Sequence, residues 1–154
     1  MRTRTLGPFT VSAIGLGAMP LSMVRNGQQG WDHANETVHA ALDAGVTFID
    51  TADIYAPSWD AMGHNERVVA EALRTYDGDT SGVVVATKGG ITRGEGETWG
   101  RDGSPEYIRR AVEASLRALD REVLALSQWH RPARRRLYGE VVEPFAARKD
   151  AGKI

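Results

Sequence analysis

The sequence contains no cysteine. That excludes a disulfide scaffold and thiolate metal sites, and it suits a reducing compartment. No apolar run approaches the length of a membrane span, and the opening stretch MRTRTLGPF lacks the apolar core of a secretory signal. Charge of one sign is missing as well. Lys and Arg number 19 against 20 Asp and Glu, a net charge of −1, so no global field draws nucleic acid or an anionic membrane. The histidines His33, His39, His64 and His130 show no metal-ligand spacing. These absences predict a cytoplasmic protein with no metal, no nucleic-acid partner and no membrane partner.

What is present is an ordinary globular composition, 42% hydrophobic and 25% charged, over 154 residues. That length supports a single domain with a sizeable core. Short apolar runs alternate with longer amphipathic ones. SAIGLG, VTFID, GVVVATK and EVLALSQWH read as strands, from their β-branched and apolar content. Residues 32–44, HNERVVAEALRTY, PEYIRRAVEASLRAL and RRLYGEVVEPFAARKDAG carry apolar residues at helical spacing. Asp32 is the expected N-cap of the first helix and Gly45 its stop, while Ser104 caps the third with Pro105 in its first turn. Pro144 should kink or interrupt the fourth. RTRTLGPFTV reads as a hairpin turning at Gly7 and Pro8. Strand followed by helix, four times over, predicts parallel strands with right-handed crossovers.

In parallel α/β folds, chemistry gathers at the C-terminal ends of strands. Strand one ends at Gly17, Ala18 and Met19. Strand two ends at Asp50, with Tyr55 beyond it in FIDTADIY. Strand three ends at Lys88 and strand four at His130. Singly, each has a structural use. Asp50 could close a turn, Tyr55 could sit on a rim, Lys88 could extend its stem over apolar surface, and His130 could hydrogen-bond within the fold. Their coincidence at successive strand ends favours a site. A free phenol, with a pKa of about 10, is a poor proton donor at neutral pH. A lysine ammonium beside it favours the phenolate, an aspartate orients the lysine, and a histidine can position a carbonyl oxygen. Such a set suits proton delivery to a carbonyl oxygen while hydride reaches its carbon, and the hydride requires a nicotinamide cofactor.

Competing motifs are incomplete. GLGAMP has two glycines of a dinucleotide fingerprint without the third, and TKGG lacks the order of a phosphate-binding loop. RPARRR reads as a solvated loop and helix start. GITRGEGETWGRDG reads as a flexible glycine-rich loop over the site. Trp59, Trp99 and Trp129 fall in or near rim loops, where they could line a pocket or simply pack.

The segments VSAIGLGAM, DAGVTFIDTADIYA, GHNERVVAEALR, VVVATKGG, SPEYIRRAVEASLRAL and QWHRP together resemble the aldo-keto reductases, in order and spacing. The resemblance implies a TIM-barrel (β/α)8 fold, NADP(H) as cofactor and reduction of aldehydes or ketones. It implies a catalytic tetrad of Asp50, Tyr55, Lys88 and His130, with Tyr55 as general acid. It places Gly17, Ala18, Met19 and Asp50 beside the nicotinamide. A full barrel needs about 250 residues, so residues 1–154 are expected to form one domain that ends after the fourth βα unit, half of a barrel. The resemblance puts the adenosine-phosphate site in later strands, so NADPH affinity is expected to be weak. A half barrel is expected to pair, as a homodimer or with a complementary C-terminal half. The alternative is a non-catalytic remnant used for binding or assembly.

Overall fold

The computed structural model describes residues 1–23, 30–131 and 138–154. Strands β1 (Thr3–Leu6) and β2 (Phe9–Ser12) form the expected antiparallel hairpin, turning at Gly7 and Pro8. Ser12 belongs to this hairpin and not to the next strand. Its amide donates to Thr47 Oγ1 at 2.8 Å and its hydroxyl accepts from the Thr47 amide at 2.9 Å, docking the hairpin at the start of a sheet strand.

The central sheet contains β3 (Leu16–Gly17), β4 (Phe48–Asp50), β5 (Val84–Gly89) and β8 (Leu126–Trp129), parallel and in that order. Each strand neighbours the one preceding it in the chain. The order never reverses, as it would in a doubly wound sheet with a switch point. The strands are shorter than their apolar runs. Leu124, for example, lies outside β8 and is buried in a helix-side cluster.

Helices α1 (Trp31–Asp43), α2 (His64–Thr75), α3 (Pro105–Ala118) and α4 (Tyr138–Asp150) pack each on the next. Val38 and Leu42 of α1 meet Val69, Ala72 and Leu73 of α2 over Ile49 of β4. Ile108, Val112 and Leu116 of α3 meet Phe145 of α4 and Val85 of β5. The α3 cap is as expected, with Ser104 Oγ accepting from the Tyr107 amide at 3.2 Å. At α1 the N-cap is Gly30, and Asp32 lies inside the first turn, where its charge still complements the helix dipole. Gly45 follows the helix end with φ of +84°. Pro144 does not interrupt α4, because Phe145 anchors the helix on the α3 cluster across the missing hydrogen bond. Most of the RPARRR run lies outside the described residues. No described helix is long and apolar enough to cross a membrane.

The glycine-rich stretch after β5 is ordered into a second antiparallel hairpin, β6 (Ile91–Gly94) with β7 (Thr98–Arg101). Its glycines serve the turn: Gly96 has φ of +68°. The TKGG glycines have separate uses. A Cβ on Gly89 would lie 3.0 Å from the Ala111 methyl, so its absence lets α3 close over β5. Gly90 has φ of +122°, and a Cβ there would meet Trp129 at 2.8 Å.

Candidate active site

Asp50 pairs in register with Ala86 of β5, and Lys88 lies two residues further along the same strand. Side chains two apart share a face, so the acid and the amine stand together at the strand ends. Lys88 Nζ donates to Asp50 Oδ2 at 2.7 Å, to the Thr51 carbonyl at 2.7 Å and to Tyr55 Oη at 3.4 Å. The same ammonium lies 5.0 Å from the centroid of the Tyr55 ring. One cation therefore joins three groups, with its side chain only 12% exposed.

His130 arrives from the far side. Its amide donates to the Gly89 carbonyl at 2.8 Å, which ties the end of β8 to the residue after Lys88. Its ring meets Tyr55 edge-on, with centroids 5.7 Å apart and planes at 90°. Burial lowers its pKa from 6.5 to about 4, with Lys88 and Arg131 adding repulsion. His130 is thus neutral near pH 7. Its Nδ1 is buried with no hydrogen-bond partner among the described residues. A bare lone pair is the less costly occupant of such a position than an unpaired N–H, which assigns the proton to Nε2.

This depressed value has a measurable consequence. The unfolded chain binds a proton near pH 6.5, and the folded protein resists doing so until about pH 4. The stability contribution of neutral His130 is therefore full above pH 6.5 and is lost as pH falls towards 4. NMR titration should place the His130 imidazole near 4, and His130→Gln should flatten the acid limb of stability against pH.

The loop carrying Tyr55 is held at several points. The Asp53 amide donates to the Lys88 carbonyl at 3.2 Å, and the Asn65 amide, in the first turn of α2, donates to the Tyr55 carbonyl at 3.0 Å. The Asn65 side chain is fully buried. It accepts from Thr51 Oγ1 at 2.7 Å and donates to the Ala18 carbonyl and to Ser22 Oγ, each at 2.8 Å. Glu66, equally buried, accepts from Thr87 Oγ1 at 2.5 Å. Asp53 is buried beneath the loop. Burial, and then the charge of Glu66, push its carboxyl well above the usual carboxylate range. The Ile54 amide moderates this, although neither Asp53 oxygen finds hydrogen-bonding geometry.

A cavity of about 460 Å³ opens over these residues. Tyr55, His130, Arg101 and Arg131 supply its polar lining, and Met19, Ile54, Ile91 and Trp99 its apolar lining. A groove of about 500 Å³ elsewhere, between Trp31, Arg74 and Arg121, touches none of the four strand-end residues. The chemistry therefore points to the smaller space.

The model of the Aldo/keto reductase family matches residues 13–154. The chain belongs to that family. It is 40% identical over 125 residues to a 6-dehydroglucose reductase of Novosphingobium aromaticivorans, covering 80% of this chain and 39% of that protein. It is 32% identical over 157 residues to the uncharacterized oxidoreductase YqkF of Bacillus subtilis, covering all of this chain and 47% of that one. Among solved structures, an aldo-keto reductase of Bacillus halodurans in its holo form superposes with a TM-score of 0.83 at 32% identity, covering 100% of this chain and 48% of that one. A glycerol dehydrogenase of Gluconobacter oxydans gives a TM-score of 0.84, also at 32% identity, over 99% and 46%. The chain spans less than half the length of these relatives.

Against this aldo/keto reductase background, Tyr55 and His130 line the cavity, and Lys88 and Asp50 stand behind Tyr55 through the Lys88 ammonium. Gly17 sits beside Asp50 in the sheet register, and Met19 lines the cavity, 45% exposed. Ala18 lies wholly in the core, bonded through its amide to the Asp50 carbonyl at 2.8 Å. Trp99 lines the cavity. The Trp59 amide binds Glu97 instead, and Trp129 packs beside Gly90. Among the described residues no cluster of three or more His, Cys, Asp or Glu could hold a metal. The sequence reading assigned no role to Asn65, Glu66, Arg93 or Glu97. The first two sit within the quoted segment GHNERVVAEALR, where two adjacent polar residues on the buried side of a helix were the available signal.

Proposed function

We propose that this chain carries the reaction half of an NADP(H)-dependent carbonyl reductase. The observation that carries the reading is Lys88 Nζ, bonded at once to Asp50 and Tyr55, behind a phenol that lines a cavity together with His130. The donor set fits a nicotinamide and a carbonyl substrate: a phenol, an ammonium and an imidazole N–H, facing apolar walls that take a flat ring. Gly17, Met19 and Asp50 would border the nicotinamide, with Ala18 anchoring their turn. When bound, the cofactor supplies the hydride. His130 Nε2–H and the Tyr55 hydroxyl direct the carbonyl oxygen, and the Tyr55 proton moves onto that oxygen as the alcohol forms. The Lys88 ammonium then faces the phenolate, a charge-assisted contact that stabilises the developing anion. Asp50 keeps the ammonium aimed at the phenol.

We read the domain as four βα units of a (β/α)8 barrel. The parallel order without reversal supports this, as do the part-exposed Phe48 and Leu126 on the sheet face opposite the helices. Among the described residues β8 lies at an edge of the sheet, and a sheet edge invites a second copy or a complementary half. The test is a titration of NADPH by fluorescence and an assay of 4-nitrobenzaldehyde reduction, with light scattering on the same preparation. Turnover by an associated species, with weak NADPH affinity, is the expected result. A monodisperse monomer would overturn the pairing. Absence of both binding and turnover would overturn the reductase reading and favour a binding or assembly remnant.

A further inference from the structure

The β6–β7 hairpin contains a buried cation that the reaction above does not use. Arg93 lies on β6 with its side chain only 7% exposed. Its Nη1 donates to the Ala56 carbonyl at 2.7 Å and its Nη2 to the Pro57 carbonyl at 3.3 Å. Its Nε donates to the Glu97 carboxylate, and its guanidinium lies 4.9 Å from the centroid of the Trp99 ring. The other Glu97 oxygen accepts the Trp59 amide at 3.0 Å. One guanidinium therefore spends all three of its nitrogens on a single junction. Ala56 and Pro57 immediately follow Tyr55, and Trp99 lines the same cavity as Tyr55.

Such bonding is more than a hairpin needs to close. The β6–β7 ladder pairs four residues of each strand through backbone, Arg93 with Trp99 among them, and that pairing does not call on the Arg93 guanidinium. Glu97 moreover holds a left-handed backbone, with φ of +62°, which a non-glycine residue keeps only where its surroundings impose it. The planar fork of arginine suits two adjacent carbonyls and a carboxylate together, and a lysine head could not reproduce it.

We propose that Arg93, braced by Glu97, is a positioning residue that locks the Tyr55 loop and the Trp99 wall to each other. This rests on the reductase reading for its catalytic consequence but not for its structural one. With the clamp closed, the phenol and the wall face the same bound carbonyl. With it open, each moves independently and the approach to Tyr55 loses its geometry, a loss worth about 10- to 100-fold in rate.

The experiment uses Arg93→Met, Arg93→Lys and Glu97→Gln in the full chain. Hydrogen exchange by mass spectrometry should speed up about tenfold or more in peptides covering 55–61 and 91–101, with α1 and α2 unchanged. For 4-nitrobenzaldehyde, kcat should fall about 10- to 100-fold in Arg93→Met, and Arg93→Lys should rescue less than half of that loss on a logarithmic scale. A purely structural role would lower the melting temperature and leave kcat of the folded fraction at the wild-type level. That result, or unchanged exchange at 55–61, would overturn the proposal. If Arg93→Met does not fold, Glu97→Gln is judged by the same criteria. An inactive wild-type chain would sink the reductase reading, and the exchange arm would still decide the clamp.

Discussion

Tyr55→Phe should lower kcat for carbonyl reduction by about 10²- to 10⁴-fold, the range typical of losing a positioned general acid. The substitution removes one oxygen and little else. That oxygen holds a single long contact, 3.4 Å from Lys88 Nζ, so the fold loses little when it goes. The Lys88 ammonium keeps its shorter bonds to Asp50 and to the Thr51 carbonyl. The ring keeps its edge-on contact with His130. An unchanged near-ultraviolet circular dichroism spectrum should therefore accompany the lost turnover. Retention of kcat within about tenfold of wild type would show that another group supplies the proton. His130 is poorly suited to replace it, since it is neutral at pH 7 and binds a proton only near pH 4.

Asn65→Ala should cost about 2–4 kcal/mol of stability, a large loss for a single polar truncation. The side chain is fully buried and makes three hydrogen bonds. Its removal strands the Thr51 hydroxyl in the interior, while the Ala18 carbonyl loses one bond and keeps that from the Leu21 amide at 2.9 Å. Ser22 is partly spared, because its hydroxyl also meets His64 Nδ1 at 2.9 Å. The alanine cannot recover the lost bonds, and the cavity it leaves is too polar to collapse cheaply. A fall in melting temperature of about 8–15 °C follows for a domain of this size. Urea denaturation followed by circular dichroism measures it directly. A loss below about 1 kcal/mol would show that water replaces the amide without penalty. The site should feel the same change, since Asn65 ties the turn bearing Met19 to the loop bearing Tyr55.

Much of this arrangement was legible in the sequence. The period of apolar residues switches between two and nearly four along the chain, and the switches mark the strands and helices. Asp50, Lys88 and His130 end strands, and strand ends in parallel sheets share one rim. That geometric rule was enough to bring them together with Tyr55 before any coordinates. Other features resisted reading for physical reasons. Residues 90–103 are rich in glycine, and glycine signals freedom and tight turns equally well. Only the pairing of Ile91 with Arg101 and of Arg93 with Trp99 shows that a turn was meant. Asn65 and Glu66 fall on the apolar side of their helix by spacing, but the partners that make burial of a polar group tolerable lie at distant positions and cannot be read from it. Arg93 is the same case in sharper form. A lone arginine on a short strand predicts an exposed charge, and two of its three acceptors, the Ala56 and Pro57 carbonyls, come from a segment distant in the chain. Strand lengths were overestimated because an apolar residue such as Leu124 can be buried by helices without joining a ladder.

The strand order has a consequence for how the chain is made. Each strand of the central sheet pairs with the strand of that sheet synthesised before it, and each helix packs on its predecessor. Nothing emerging early must wait for a partner encoded much later. The sheet can therefore grow in step with translation, adding one βα unit at a time to a seeded edge. The growing front is always the most recent strand, and the exposed edge travels with it along the nascent chain. Ribosome-bound fragments ending after α2 should already protect β4, while β5 remains open until α3 has cleared the exit tunnel.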